Sequence, residues 1–73
     1  MPITKEKFLK ALGEKIKTLR EAKGLSQYAF SDESGISRSQ ITRLENGKLN
    51  CTIATLLTLA QTLEVEVNEL LDI

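Results

Sequence analysis

Apolar residues recur along this chain at intervals of three and four, the period of a helix with one buried face. Phe8, Leu9, Leu12, Ile16 and Leu19 form the first such stripe, with lysines between them. Thr4 stands before it as an N-cap, and Gly24 after it as a left-handed C-cap. A second helix is predicted to start at Ser26 and end by Gly35, with Leu25 and Phe30 placed as a hydrophobic staple. A third starts at Ser37, where Ile36 and Ile41 repeat the staple and Gln40 completes a capping box, and it stops at Asn46-Gly47. After Thr52, a fourth carries Ile53, Leu56, Leu57, Ala60 and Leu63, and Leu59 widens its stripe enough to predict a second contact surface. Residues 63–67 alternate apolar and acidic, the period of an edge strand. With no partner strand in the chain, a bend is the preferred reading, leading into a fifth helix with Leu70 and Leu71 turned inward. The expected fold is all-α, a compact five-helix bundle.

The second and third helices are separated only by Ser34-Gly35-Ile36, so they must cross steeply, as in a helix-turn-helix spanning about residues 26–46. Small Ser31 permits close approach, and Phe30, Ile36, Ile41 and Leu44 supply the wedge between the helices. On the third helix, Ile41 and Leu44 share one side, while Arg38, Ser39, Thr42, Arg43 and Asn46 fill an arc of about 140° on the other. Arginine pairs with guanine, asparagine with adenine, and short hydroxyls serve donors or acceptors, so this arc has the chemistry of base-edge recognition. Any solvated helix face is also polar. The tight turn before it is what favours the DNA-reading interpretation.

Residues 12–71 resemble the phage-repressor and Cro type of helix-turn-helix domain, also called the xenobiotic-response-element type. The resemblance is carried by Leu19-Arg20, Lys23-Gly24-Leu25-Ser26-Gln27, Gly35-Ile36-Ser37, Ile41, Leu44-Glu45-Asn46-Gly47, and Leu56-Leu57 with Ala60 and Leu63. It implies a five-helix, lambda-repressor-like DNA-binding domain that commonly acts as a dimer on two-fold operators. Base-reading positions then fall on Arg38, Ser39, Thr42 and Arg43. Backbone-contacting positions fall on Ser26, Gln27, Tyr28, Ser37, Asn46 and Lys48, with the Gln27 amide gripping a phosphate at a helix N-terminus. Arg20 and Glu45 match a structural ion pair between the first and third helices. Two positions depart from the pattern. Tyr28 stands where the family often has an acidic residue, and Cys51 where a proline usually opens the fourth helix. The expected roles are a phenol-to-phosphate bond for Tyr28 and small-residue packing for Cys51.

Composition narrows the chemistry. With no His and one Cys, the chain lacks the ligands of a His/Cys zinc site and the imidazole of a Ser-His-Asp or Cys-His pair. No enzyme activity, metal or cofactor is expected. The formal net charge is zero, but residues 1–23 carry seven bases against three acids, residues 24–50 balance, and residues 51–73 carry four acids and no base. The acidic end suits packing, a partner or water better than phosphate. A 73-residue chain buries only about 60% of its unfolded surface, which favours oligomerisation. The helices at about 53–72 are the candidate homodimer surface, through Leu59, Leu63, Val65, Val67 and Leu70. Residues 1–73 are expected to be a single helix-turn-helix domain and to leave no room for an effector module, so no small-molecule ligand is anticipated. Without an apolar run of about 20 residues or a signal-peptide core, a cytoplasmic location is expected. The expected function is that of a homodimeric, sequence-specific regulator on double-stranded DNA. The alternative is a protein-interaction module of the same fold, coactivator-like or antitoxin-like.

Overall fold

A computed structural model describes residues 3–73. Five helices follow one another: α1 (Lys5–Ala22), α2 (Gln27–Ser34), α3 (Arg38–Glu45), α4 (Ile53–Leu63) and α5 (Val67–Leu70), with no strand among the described residues. Four of them begin the same way. The side-chain oxygens of Thr4, Ser26, Ser37 and Thr52 accept the backbone N–H of Lys7, Ala29, Gln40 and Thr55 respectively. Each such cap contributes about 1 kcal/mol and fixes where its helix starts.

The α2–α3 turn is built from local bonds. Gly35 has φ 77°, a left-handed conformation that costs a residue with a Cβ roughly 1–2 kcal/mol. Its N–H donates to the Ser31 carbonyl at 2.9 Å, the Ser31 hydroxyl donates to the Ile36 carbonyl at 2.6 Å, and the Ile36 N–H donates to Ser34 Oγ at 3.1 Å. Ser31 therefore does more than leave space, because its hydroxyl satisfies a carbonyl inside the turn.

The core gathers Leu12 and Ile16 from α1, Phe30 from α2, Ile41 and Leu44 from α3, Leu56, Leu59, Ala60 and Leu63 from α4, and Leu70 from α5. The main packing contacts run from α1 to α3, α3 to α2, α2 to α4, α4 to α5, and α5 back to α1. They form a closed ring. No helix in the set is long and apolar enough to cross a membrane.

Residues 64–66 form the expected bend. Glu64 adopts φ 61°, and its carboxylate pairs with the Lys23 ammonium at the end of α1. That partner holds the exposed Glu64 carboxyl below its ordinary pKa. The C-terminal half of the chain corrects three expectations. Leu59, Leu63 and Leu70, expected at a dimer surface, are 0%, 4% and 0% exposed and belong to the chain's own core, so they offer a partner nothing. Val65 and Val67 are half-buried against the same core. Leu71, expected to turn inward, is exposed because α5 ends at Leu70. The surplus apolar width of α4 lies at Ile53 and Leu57, one turn apart and exposed, rather than at Leu59.

Gly13 sets the spacing of α1 and α3. A Cβ built there would lie against the Leu44 carbonyl oxygen and 2.8 Å from that of Glu45, both backbone atoms that cannot rotate away. In an isolated helix, alanine would be better than glycine by about 0.5–1 kcal/mol. Here the close approach dominates. Gly13→Ala is expected to lower unfolding free energy by about 2–3 kcal/mol in urea titration, the cost of overpacking a fitted contact.

Candidate nucleic-acid interface

The α3 helix is anchored from behind by a buried ion pair. Arg20 and Glu45 are 7% and 6% exposed. Arg20 Nε donates to Glu45 Oε2 at 2.7 Å and its Nη2 to Oε1 at 3.1 Å, a two-pronged contact between α1 and α3. Its remaining nitrogen, Nη1, donates to the Leu25 carbonyl at 2.7 Å and so holds the α1–α2 turn as well. The bond to Glu45 raises the Arg20 pKa above an already high value, against the opposing effect of burial. The guanidinium stays charged throughout the range in which proteins fold.

Glu45 receives a third bond. Gln27 Nε2 donates to Glu45 Oε1 at 3.0 Å, and Gln27 Oε1 accepts from the Thr42 hydroxyl at 3.0 Å. The resemblance implies a phosphate-gripping amide at Gln27, but in the free chain that amide is turned inward and ties α2 to α3. One of its two N–H groups remains for other partners.

On the outer side of α3, Arg38, Ser39, Arg43 and Asn46 are exposed, and Thr42 is half-buried at the edge of the same face. These five side chains sit where the helical wheel placed them. The Arg38 guanidinium lies over the Tyr28 ring, 4.1 Å from its centre. Such a contact contributes about 0.5–1 kcal/mol at an exposed site and restricts where the arginine points. Tyr28 was expected as a phosphate ligand through its phenol, and its ring has this second task, which spacing along the sequence could not reveal. Ser26 and Ser37 accept helix-capping N–H bonds while keeping a hydroxyl proton to donate.

Asn46 and Lys48 follow α3 and are exposed. With Gly47 they line an open cleft of about 370 Å³ whose other wall is Glu6, Lys7 and Lys10 from the start of α1. The sequence reading missed Lys7 and Lys10. The basic excess of residues 1–23 was the available signal, but it did not say which lysines lie beside the end of α3. Among the described residues, no group of three His, Cys, Asp or Glu side chains is arranged to hold a metal ion. Cys51 packs half-buried against the core, and burial pushes its thiol pKa up, away from the reactive thiolate.

The sequence profile of the helix-turn-helix (HTH_3) family matches residues 16–70, from the middle of α1 to the end of α5. The chain belongs to this family. It is 41% identical over 61 residues to the uncharacterized HTH-type transcriptional regulator y4dJ of Sinorhizobium fredii, an alignment covering 84% of this chain and 79% of that one. The crystal structure of the restriction-modification controller protein C.AhdI of Aeromonas hydrophila superposes with a TM-score of 0.83 at 39% identity, covering 85% of this chain and 94% of that one. The master regulator for biofilm formation SinR, crystallised in complex with DNA, matches with a TM-score of 0.79 at 32% identity, over 84% of this chain and 98% of that one. The first is named as a transcriptional regulator, the second as a controller protein and the third as a master regulator, none of them as an enzyme, and this helix-turn-helix family member shares the fold of the two solved structures.

The ion pair is the site's point of failure. Removing one partner leaves a buried charge unmatched, which costs about 3–5 kcal/mol. Glu45→Ala is therefore expected to unfold the chain or to lower its melting temperature steeply in calorimetry, whereas Ser39→Ala, on the exposed face, leaves the melting temperature nearly unchanged.

Proposed function

We propose that this chain is a sequence-specific transcriptional regulator of the cytoplasm that binds double-stranded DNA as a homodimer on a two-fold symmetric site. Residues 1–73 act in this reading as one DNA-binding domain. The observation that carries it is the outer face of α3. Two arginines and two hydroxyl residues stand on a short helix, with an asparagine at its C-cap, and its inner face is fixed by Ile41, Leu44 and Glu45. The helix fits a major groove, and its arginines have the fork geometry that guanine O6 and N7 accept.

In this reading Ser26, Ser37, Asn46 and Lys48 hold the phosphate backbone on either side of α3, and Lys7 and Lys10 extend that hold along the cleft. Tyr28 positions Arg38 through its ring. The likeness to C.AhdI supports a reading as a regulator of the restriction-modification controller kind. A single protomer has few bases on its reading face, so affinity comes from two α3 helices entering successive major grooves about 34 Å apart. The partner-facing residues are assigned to Ile53 and Leu57, because burial removes Leu59, Leu63 and Leu70 from consideration.

Two experiments test this. Selection from a random duplex library should enrich a palindromic site with G·C pairs at the positions facing α3. Arg38→Ala and Arg43→Ala should each relax one position and lose about 1–3 kcal/mol of discrimination. Enrichment of nothing, with only weak salt-sensitive binding, would overturn the proposal and favour the protein-interaction alternative. Separately, sedimentation equilibrium should find a dimer that Ile53→Asp combined with Leu57→Asp converts to a folded monomer. An unchanged mass for that variant would refute the assignment of the interface.

A further inference from the structure

We infer that the Thr42 hydroxyl is locked as a hydrogen-bond acceptor toward DNA and therefore selects a base edge carrying an exocyclic amino group, adenine N6 or cytosine N4. This rests on the proposed placement of α3 in a major groove. It follows from the direction of each bond in the chain Arg20, Glu45, Gln27, Thr42.

Arginine has donors only, so the Glu45 carboxylate beside it is an ionised acceptor with no proton to give. Whatever else approaches Glu45 Oε1 at hydrogen-bond distance must donate. Gln27 does so with Nε2 at 3.0 Å, because turning the amide over would set its carbonyl oxygen against the carboxylate, lone pairs facing lone pairs. With the nitrogen held on Glu45, the Gln27 oxygen faces Thr42 Oγ1 at 3.0 Å. An amide oxygen carries no proton, so the Thr42 hydroxyl is the donor of that bond. A threonine hydroxyl has one proton and two lone pairs. The proton is committed inward, and only lone pairs are left for the groove.

Guanine O6 and N7 and thymine O4 would meet those lone pairs with lone pairs of their own, whereas adenine N6 and cytosine N4 would meet them with N–H. Arg38 and Arg43 have the opposite character, since they only donate. The reading face is thus divided: its arginines select acceptors and Thr42 selects a donor. Releasing the Thr42 proton would strip the Gln27 oxygen of its partner in a half-buried position, which opposes a switch of role on binding.

The free protein offers the first test. In NMR, a through-bond coupling from Gln27 Nε2 to the Glu45 carboxyl carbon, with a Thr42 hydroxyl proton visible at low temperature, is expected. A Gln27 amide proton directed at Thr42 instead would overturn the inference without any DNA.

The second test uses the selected site. The base pair whose identity is lost in Thr42→Ala is located, and its bases are replaced by analogues. Removing the amino group, with purine for adenine or 2-pyrimidinone for cytosine, should weaken the wild type about tenfold and Thr42→Ala little. Removing acceptors, with 7-deazapurines for instance, should have no effect that depends on Thr42. The reverse pattern overturns the inference, as does a Thr42→Ala variant that relaxes no position. Gln27→Leu, which frees the Thr42 proton, should lose the preference for the amino edge while the arginine-dependent positions persist. If the wild type enriches no site, the major-groove reading itself falls and this inference falls with it.

Discussion

The architecture depends on the pairing of Arg20 with Glu45. Burying an ion pair is a weak source of stability, because both charges give up water to make it. What it supplies is specificity of arrangement. A two-pronged contact between a planar guanidinium and a carboxylate admits one orientation, so it sets the rotation of α3 about its own axis in a way that the oily contacts of Ile41 and Leu44 could not. The third nitrogen of Arg20, on the Leu25 carbonyl, makes the same side chain hold the turn that leads into α2. Both helices of the helix-turn-helix are thereby referred to a single point on α1.

From that setting the division of surfaces follows. With Glu45 turned in, Arg38, Ser39, Arg43 and Asn46 are turned out, and Lys48 and the lysines at the start of α1 are brought to one cleft at the end of α3. The acids of the C-terminal segment gather elsewhere, with Glu66, Glu69 and Asp72 around an open depression that also takes Lys15. The chain's zero net charge conceals this separation, which is a property of the fold as much as of the order of residues along the sequence.

Features determined by neighbours in sequence were legible. The caps at Thr4, Ser26, Ser37 and Thr52 and the turn at Gly35 depend on bonds reaching five residues or fewer, and the outer face of α3 depends only on helical period. Features determined by partners from elsewhere were not. Helix α4 is apolar over so much of its circumference that its sequence does not say which side meets α2 and α5, and the expected side was wrong at Ile53, Leu57 and Leu59. Gly13 looks like a simple penalty until the carbonyls of Leu44 and Glu45 are placed beside it. The inward turn of Gln27 and the stacking of Tyr28 on Arg38 needed α2 and α3 at their actual separation. The polar outer face of α3 was therefore readable, and the polar network behind it was not.

The closed ring of helix contacts bears on how the chain is made. Its last link joins the four-residue α5 to α1, the two elements farthest apart in sequence, and Leu70 is fully buried where it closes. Helix α1 cannot complete its packing until synthesis has passed Leu70, so a ribosome-bound nascent chain holds the amphipathic α1 without its final partner. Until α5 is in place the ring stays open at α1, which by then has only its packing on α3.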